Sequence, residues 1–251
     1  MIILLFISFL FSSTGNDVQT FLRKGDEHYK NYEIVSAVNF YKKAYELAPD
    51  NYEALLKLTR TYNDAGEEFK ELRNREEAER YINKAVEYAE IFKKKFPDSA
   101  AVYTYLAMSY GNIAMFKGGK EKVKYAQLIK QNLDIALKKN PDDYLPYIIL
   151  GIYNREIASL SWLERMFANT FFGDVPDGSY EESERLLHKA LKLKPGIIVA
   201  TFQLARTYRR MEREEDEIKM LKKVLALPKQ DFRDKFAKEK SQRRLTELGQ
   251  I

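Results

Sequence analysis

The chain has 251 residues, 45% of them apolar and 31% charged, with 11 Gly, 7 Pro and no Cys. That length suits one large domain or two small ones, and the composition excludes disorder, disulfides, thiolate zinc sites and cysteine nucleophiles. With 42 Lys and Arg against 37 Asp and Glu the net charge is only +5, too diffuse to argue for nucleic acid, and two His leave little imidazole for metal or triad chemistry.

The chain opens MIILLFISFLF, apolar from Met1 to Phe11 except for Ser8. Eleven residues fall short of the about 20 that a membrane-spanning helix needs. Ser13 and Gly15 supply the small-x-small pattern of a signal-peptidase site. Residues 1–15 therefore read as a signal peptide and residues 16–251 as the mature domain of an exported, periplasmic protein. No Lys or Arg precedes Arg23, a departure from the usual basic leader. It keeps two alternatives open, an uncleaved N-terminal membrane anchor and a buried first helix. No later stretch reaches membrane-spanning length without charges, so no integral span is expected after cleavage.

Self-comparison gives the strongest signal. Prolines recur after similar helix endings, in ELAPDN (46–51), KKFPDS (94–99), KKNPDD (138–143), KLKPG (192–196) and LALP (225–228). In the first unit Gly25, Ala37, Tyr41, Ala44 and Pro49 are separated by 12, 4, 3 and 5 residues, the frame of a tetratricopeptide repeat, a helix-turn-helix of about 34 residues. Small residues at Gly25 and Ala37 let two helices approach where their axes cross, while Pro49 cannot continue a helix. The frame returns with Leu55, Leu58, Tyr62, Ala78, Ile82 and Ala85, again from Tyr103 to Ala136, then from Tyr147 to Ala190, and last from Leu204 to Val224. The expectation is an all-α, right-handed tetratricopeptide superhelix of about five hairpins.

The spacings between these prolines are 48, 44, 54 and 33, so three units exceed the standard length. The second is lengthened by about two turns in each of its helices. The third gains ten residues before Ile129, and the fourth gains twenty between Asn154 and Ser183. That last insertion, at 159–173, reads as a continuation of the helix through Asn154, followed by a loop through Gly173, Pro176 and Gly178. After Pro228 a charged helix from Asp231, with Phe232, Phe236 and Leu245 turned inward, reads as the C-terminal cap that repeat arrays require.

Three segments carry a resemblance: 116–143, with Gly118-Gly119-Lys120 before a lysine-rich helix; 147–196, with Phe172-Gly173, Pro176 and Gly178-Ser179; and 204–228. Together they resemble the regulator of microtubule dynamics family and its bacterial tetratricopeptide relatives, over residues 20–250. The resemblance implies an all-helical repeat domain without catalytic residues. For eukaryotic members it implies association with microtubules or membrane contact sites, and for at least one of them phospholipid binding. The signal peptide and the loop around Phe172 are also similar to the periplasmic helical-repeat component of tripartite ATP-independent transporters.

On such a stack the first helices of successive hairpins line the inner face. The polar residues expected there are Tyr29, Arg60, Asn63, Asn112, Arg155, Arg206 and Arg209. Guanidinium forks and amides suit a carboxylate, a phosphate or an extended peptide backbone; the alternative is a solvated face partly neutralised by Asp26, Asp64 and Glu156. Chaperone-tail clamps place Lys and Asn where this chain has Leu22 and Asp26, so that chemistry is not expected. The insertion gathers Trp162, Met166, Phe171 and Phe172, a stripe that either seals the core or lines a pocket for a lipid or other apolar ligand. Gly118-Gly119-Lys120 lacks P-loop spacing, and the lysines from Lys117 to Lys124 read as a solvated helix start or a contact for an anionic membrane. No catalytic residue, cofactor, metal or nucleic-acid partner is expected. The function expected is a non-catalytic scaffold for a protein or peptide.

Overall fold

The computed structural model describes residues 3–171 and 173–251, with side chains from Gly15 onward except those of Trp162 and Leu163. Among the described residues the regular structure is entirely α-helical. The chain divides into two compact units, Met1–Ile113 and Ala114–Ile251.

In the first unit α1 (Ile3–Lys30) pairs with α2 (Ile34–Leu47), and α3 (Tyr52–Glu71) pairs with α4 (Arg75–Lys95); α5 (Ala100–Ala114) follows. Each hairpin closes through a close approach. A Cβ on Gly25 of α1 would meet the Tyr41 ring of α2 at 2.4 Å, and one on Gly66 of α3 would meet Ile82 Cγ1 of α4 at 2.3 Å. Tyr41, Ala44, Leu55, Leu58 and Ala85 are fully buried, and full burial of each large apolar side chain contributes about 1.5–3 kcal/mol. The Tyr41 hydroxyl donates to Asp26 at 2.7 Å, and Lys57 reaches the other oxygen of that carboxylate at 2.7 Å, tying α1, α2 and α3 together. The extra residues of this repeat lengthen its helices, since α3 and α4 run to 20 and 21 residues against 14 in α2.

The second unit contains α6 (Gly119–Lys139), α7 (Tyr144–Ala158), α8 (Trp162–Phe171), α9 (Tyr180–Leu193), α10 (Ile198–Arg210), α11 (Glu214–Ala226) and α12 (Arg233–Glu247). Here α7 pairs with α9 and α10 with α11. Ile148, Leu187, Ala190, Ala200, Leu204 and Tyr208 join α7, α9 and α10 in one core. The last helix closes the array, with Leu245 packed on Ala205 and Leu221 and Ala237 packed on Ile198 and Val224. Phe232 is buried, as expected of a cap, while Phe236 is half-buried.

Two local devices repeat. Pro49, Pro97, Pro141, Pro195 and Pro228 each stand two residues beyond a helix end, where the missing N–H costs nothing. Three hairpin turns carry a non-glycine residue in the left-handed region, Tyr32 (φ 63), Arg73 (φ 61) and Glu212 (φ 57). Each is followed by the same bond back across the helix end: Glu33 N–H to His28 C=O, Asn74 to Phe69 and Arg213 to Tyr208. This is the Schellman closure, which satisfies carbonyls left open where a helix stops.

The fourth hairpin differs from the sequence expectation. The helix through Asn154 does not continue into the insertion; α7 ends at Ala158 and α8 starts afresh at Trp162. Ser161 and Glu164 form a capping box that explains the break. The Ser161 N–H and hydroxyl donate to the Glu164 carboxylate at 2.8 and 2.7 Å, and the Glu164 N–H donates to Ser161 Oγ at 3.2 Å. The loop after α8 is strapped down by Arg165, whose guanidinium donates to the carbonyls of Pro176 at 3.2 Å and Ile157 at 3.3 Å. Gly178 lies against α7, where a Cβ would come within 2.8 Å of the Asn154 carbonyl oxygen.

Candidate functional site

In the first unit, Arg60 and Asn63 of α3 and Asn112 of α5 engage other residues of that unit. The Arg60 guanidinium lies 4.1 Å over the Tyr29 ring, and the Tyr29 hydroxyl donates to Asp64 at 2.8 Å. Burial opposes the Arg60 charge, but the neighbouring Tyr29 and Asp64 outweigh it and hold its pKa above the usual arginine value. Asn63 is fully buried. Its amide nitrogen donates to the Thr59 carbonyl at 3.1 Å and to Ser109 Oγ at 2.9 Å. Its oxygen accepts from Asn112 at 3.1 Å, and Asn112 also reaches Glu67 at 3.3 Å. These amides form a ladder from α3 to α5.

The second unit treats its arginines differently. Arg155, Arg206, Arg209 and Arg210 together line a recess of about 360 Å³ between α7 and α10, within the range of about 300–1,000 Å³ for ligand sites. Arg155 forms the floor; its side chain is only 2% exposed. It donates to the Gln203 carbonyl at 3.1 Å and twice to Glu156, at 2.9 and 3.3 Å. Burial, then repulsion from Arg206, lowers its pKa to about 10, with Glu156 pulling the other way, so it remains charged at neutral pH.

Arg206, Arg209 and Arg210 are exposed on one face at the C-terminal end of α10, the latter two in its last turn. Arg206 reaches the Glu156 carboxylate at 3.6 Å and the Gln203 side-chain oxygen at 3.3 Å. Among the described residues no carboxylate pairs with Arg209 or Arg210. Like charges three and four residues apart on a helix destabilise it by about 0.2–0.5 kcal/mol per pair. Their position at the negative end of the helix dipole offsets part of that. The result is four cations around an open recess with one anion among them, a geometry suited to an oxyanion. The spacing frame identified Arg155, Arg206 and Arg209. Arg210 escaped it, although its i, i+4 relation to Arg206 places both on one face.

The aromatic stripe of the insertion lies apart from this recess in the sequence. Met166, Phe167 and Phe171 of α8 are 44%, 52% and 63% exposed, so these three do not seal a core. The Trp162 side chain and Phe172 lie outside the described residues. Leu22 is buried and Asp26 is engaged by Tyr41 and Lys57, which leaves no chaperone-tail clamp at those positions. His188 sits 3.1 Å from the Tyr208 hydroxyl on the α9 surface.

Helical hairpins recurring in one sequence frame define a tetratricopeptide-repeat protein, a class whose extended surfaces serve protein interaction. The fold is similar to that of TTC0263, a thermophilic TPR protein in Thermus thermophilus, with a TM-score of 0.63 at 20% identity, covering 89% of this chain and 98% of that one. Residues 21–249 match the family model for regulator of microtubule dynamics protein 1-3, and the chain belongs to that family. It is 28% identical over 200 residues to human regulator of microtubule dynamics protein 2, covering 79% of this chain and 48% of the relative. It is 26% identical to mouse regulator of microtubule dynamics protein 1, covering 78% and 64%. The chain thus spans about half the length of the type 2 relative and under two thirds of the type 1 relative. Among the described residues no helix is long and apolar enough to cross a membrane.

Proposed function

We propose that this chain is a non-catalytic scaffold that captures a protein or peptide partner bearing an acidic group, received by Arg206, Arg209 and Arg210 over the buried Arg155. The observation that carries this reading is the concentration of four guanidinium groups around one recess with a single carboxylate among them. The amide ladder of the first unit supports it from the other side. Asn63 and Asn112 are spent on Ser109 and Glu67, whereas the second unit's arginines outnumber the one carboxylate beside them.

The test is affinity capture from the native extract with the unaltered chain and with the double variant Arg206→Glu, Arg209→Glu. Proteins retained by the first and lost by the second, identified by mass spectrometry, support the reading. An identical set from both overturns it. We propose further that the partner is met after export. Cleavage after Gly15 would leave α1 as Asn16–Lys30, a helix as long as α5 that keeps its buried Val18 and Leu22. N-terminal sequencing of the mature protein decides this: a start at Asn16 supports export, and a retained Met1 rejects it.

A further inference from the structure

The charge and donor count of the recess go beyond a general preference for acidic groups. Four guanidinium groups against Glu156 leave three net positive charges in one recess. A single carboxylate would leave two of them uncompensated. A phosphomonoester carries about −1.5 to −2 at neutral pH and three terminal acceptor oxygens. The donors tell the same story. Each guanidinium has five N–H groups. Arg155 commits three hydrogen bonds to Glu156 and Gln203, and Arg206 makes two contacts, one to each of the same residues. The forks of Arg209 and Arg210 stay uncommitted among the described residues. That supply exceeds what the two oxygens of a carboxylate can accept and suits a phosphoryl group.

The recess is also built in advance. Arg155 is fixed from two sides and buried, so the floor is ordered before any ligand arrives. Arg206 and Arg210 repel its charge, a repulsion that a dianion placed among them would offset.

We propose that the α7/α10 recess is a phosphoryl-binding site that takes a phosphorylated serine or threonine of the partner chain in preference to an aspartate or glutamate. The inference rests on the capture reading above and names the chemistry of the captured group. The recognition is electrostatic and bidentate, with Arg209 and Arg210 closing on the terminal oxygens over the preset Arg155.

The test uses the full chain and three fluorescent peptides of one neutral sequence, carrying phosphoserine, glutamate or serine at the same position. Vesicles containing phosphatidic acid form a fourth arm. The phosphoserine peptide should bind at least about tenfold more tightly than the glutamate peptide, with the serine peptide weakest. The double variant Arg209→Ala, Arg210→Ala should lose that advantage; both side chains are exposed, so the fold is spared. Phosphoserine and glutamate peptides that bind alike overturn the inference, as does a phosphoserine preference that survives in the double variant. Binding confined to the vesicles overturns it in favour of a lipid headgroup. Partners captured from extract separate the two levels. If Arg206→Glu, Arg209→Glu abolishes their capture while phosphatase treatment does not, the scaffold reading stands and this inference falls.

Discussion

The two units use one repeat frame, but the first compensates its polar positions and the second leaves a cationic excess. In the first, Arg60 is answered by Tyr29 and Asp64, and Asn63 and Asn112 answer each other. In the second, Arg155 and Arg206 share one carboxylate, Glu156, and among the described residues Arg209 and Arg210 pair with none. Equivalent positions on a helical repeat therefore do not have equivalent roles. Whether a polar side chain is structural or available depends on what the neighbouring helix offers it.

Core substitutions should show the two units to be alike where the frame is shared. Leu58→Ala in α3 and Leu187→Ala in α9 each remove a fully buried side chain and should cost about 2–5 kcal/mol in urea unfolding. Polar substitutions should separate them. Asn63→Leu removes one buried hydrogen bond from each of Ser109 and Asn112 and should cost about 1–3 kcal/mol. Arg209→Ala should stay within about 0.5 kcal/mol. An equal cost for the two would erase the distinction between the units.

Alkaline pH should act on both units. Burial, the leading cause, pushes the Tyr62 hydroxyl of the first unit and the Tyr153 hydroxyl of the second up to about 12. A group whose folded pKa is raised contributes stability that is complete below its unfolded value, about 10 for tyrosine, and is lost as pH climbs through the folded value. Stability should therefore fall between pH about 10 and 12, by about 2–3 kcal/mol for each tyrosine. Tyr153→Phe should remove that tyrosine's share, as read from urea midpoints across the window. The smallest effect is expected at the turns. Arg73→Gly and Glu212→Gly relieve a left-handed backbone position at non-glycine residues. Each should raise stability by about 0.5 kcal/mol, after the unfolded-state entropy of glycine is subtracted. Similar gains in both variants would confirm that the turn is common to the units.

The hairpins were legible because their determinants are local. Pro49, Pro97, Pro141, Pro195 and Pro228 mark helix ends through a missing N–H, and Gly25 and Gly151 mark crossings through a missing Cβ. The break before α8 was also written locally, in Ser161 and Glu164, but the apolar spacing across it imitated one continuous helix. The site was legible in part. Periodicity brought Arg155, Arg206 and Arg209 to one face. It could not reveal that Asn63 and Asn112 would spend their amides on each other, because that depends on how the fold brings α3 and α5 together, 49 residues apart in the chain. The partition of the chain into two units left no mark in composition.

The glycine crossings have an evolutionary consequence. Gly25 admits Tyr41, Gly66 admits Ile82 and Gly151 admits Leu187, each at a separation too short for an added methyl. A hairpin is thus a lock and key carried on a single stretch of chain. Shuffling one helix between such proteins would pair a bulky key with an occupied lock, whereas exchanging a whole hairpin preserves the fit. The hairpin, rather than the helix, is the unit in which such an array can be recombined.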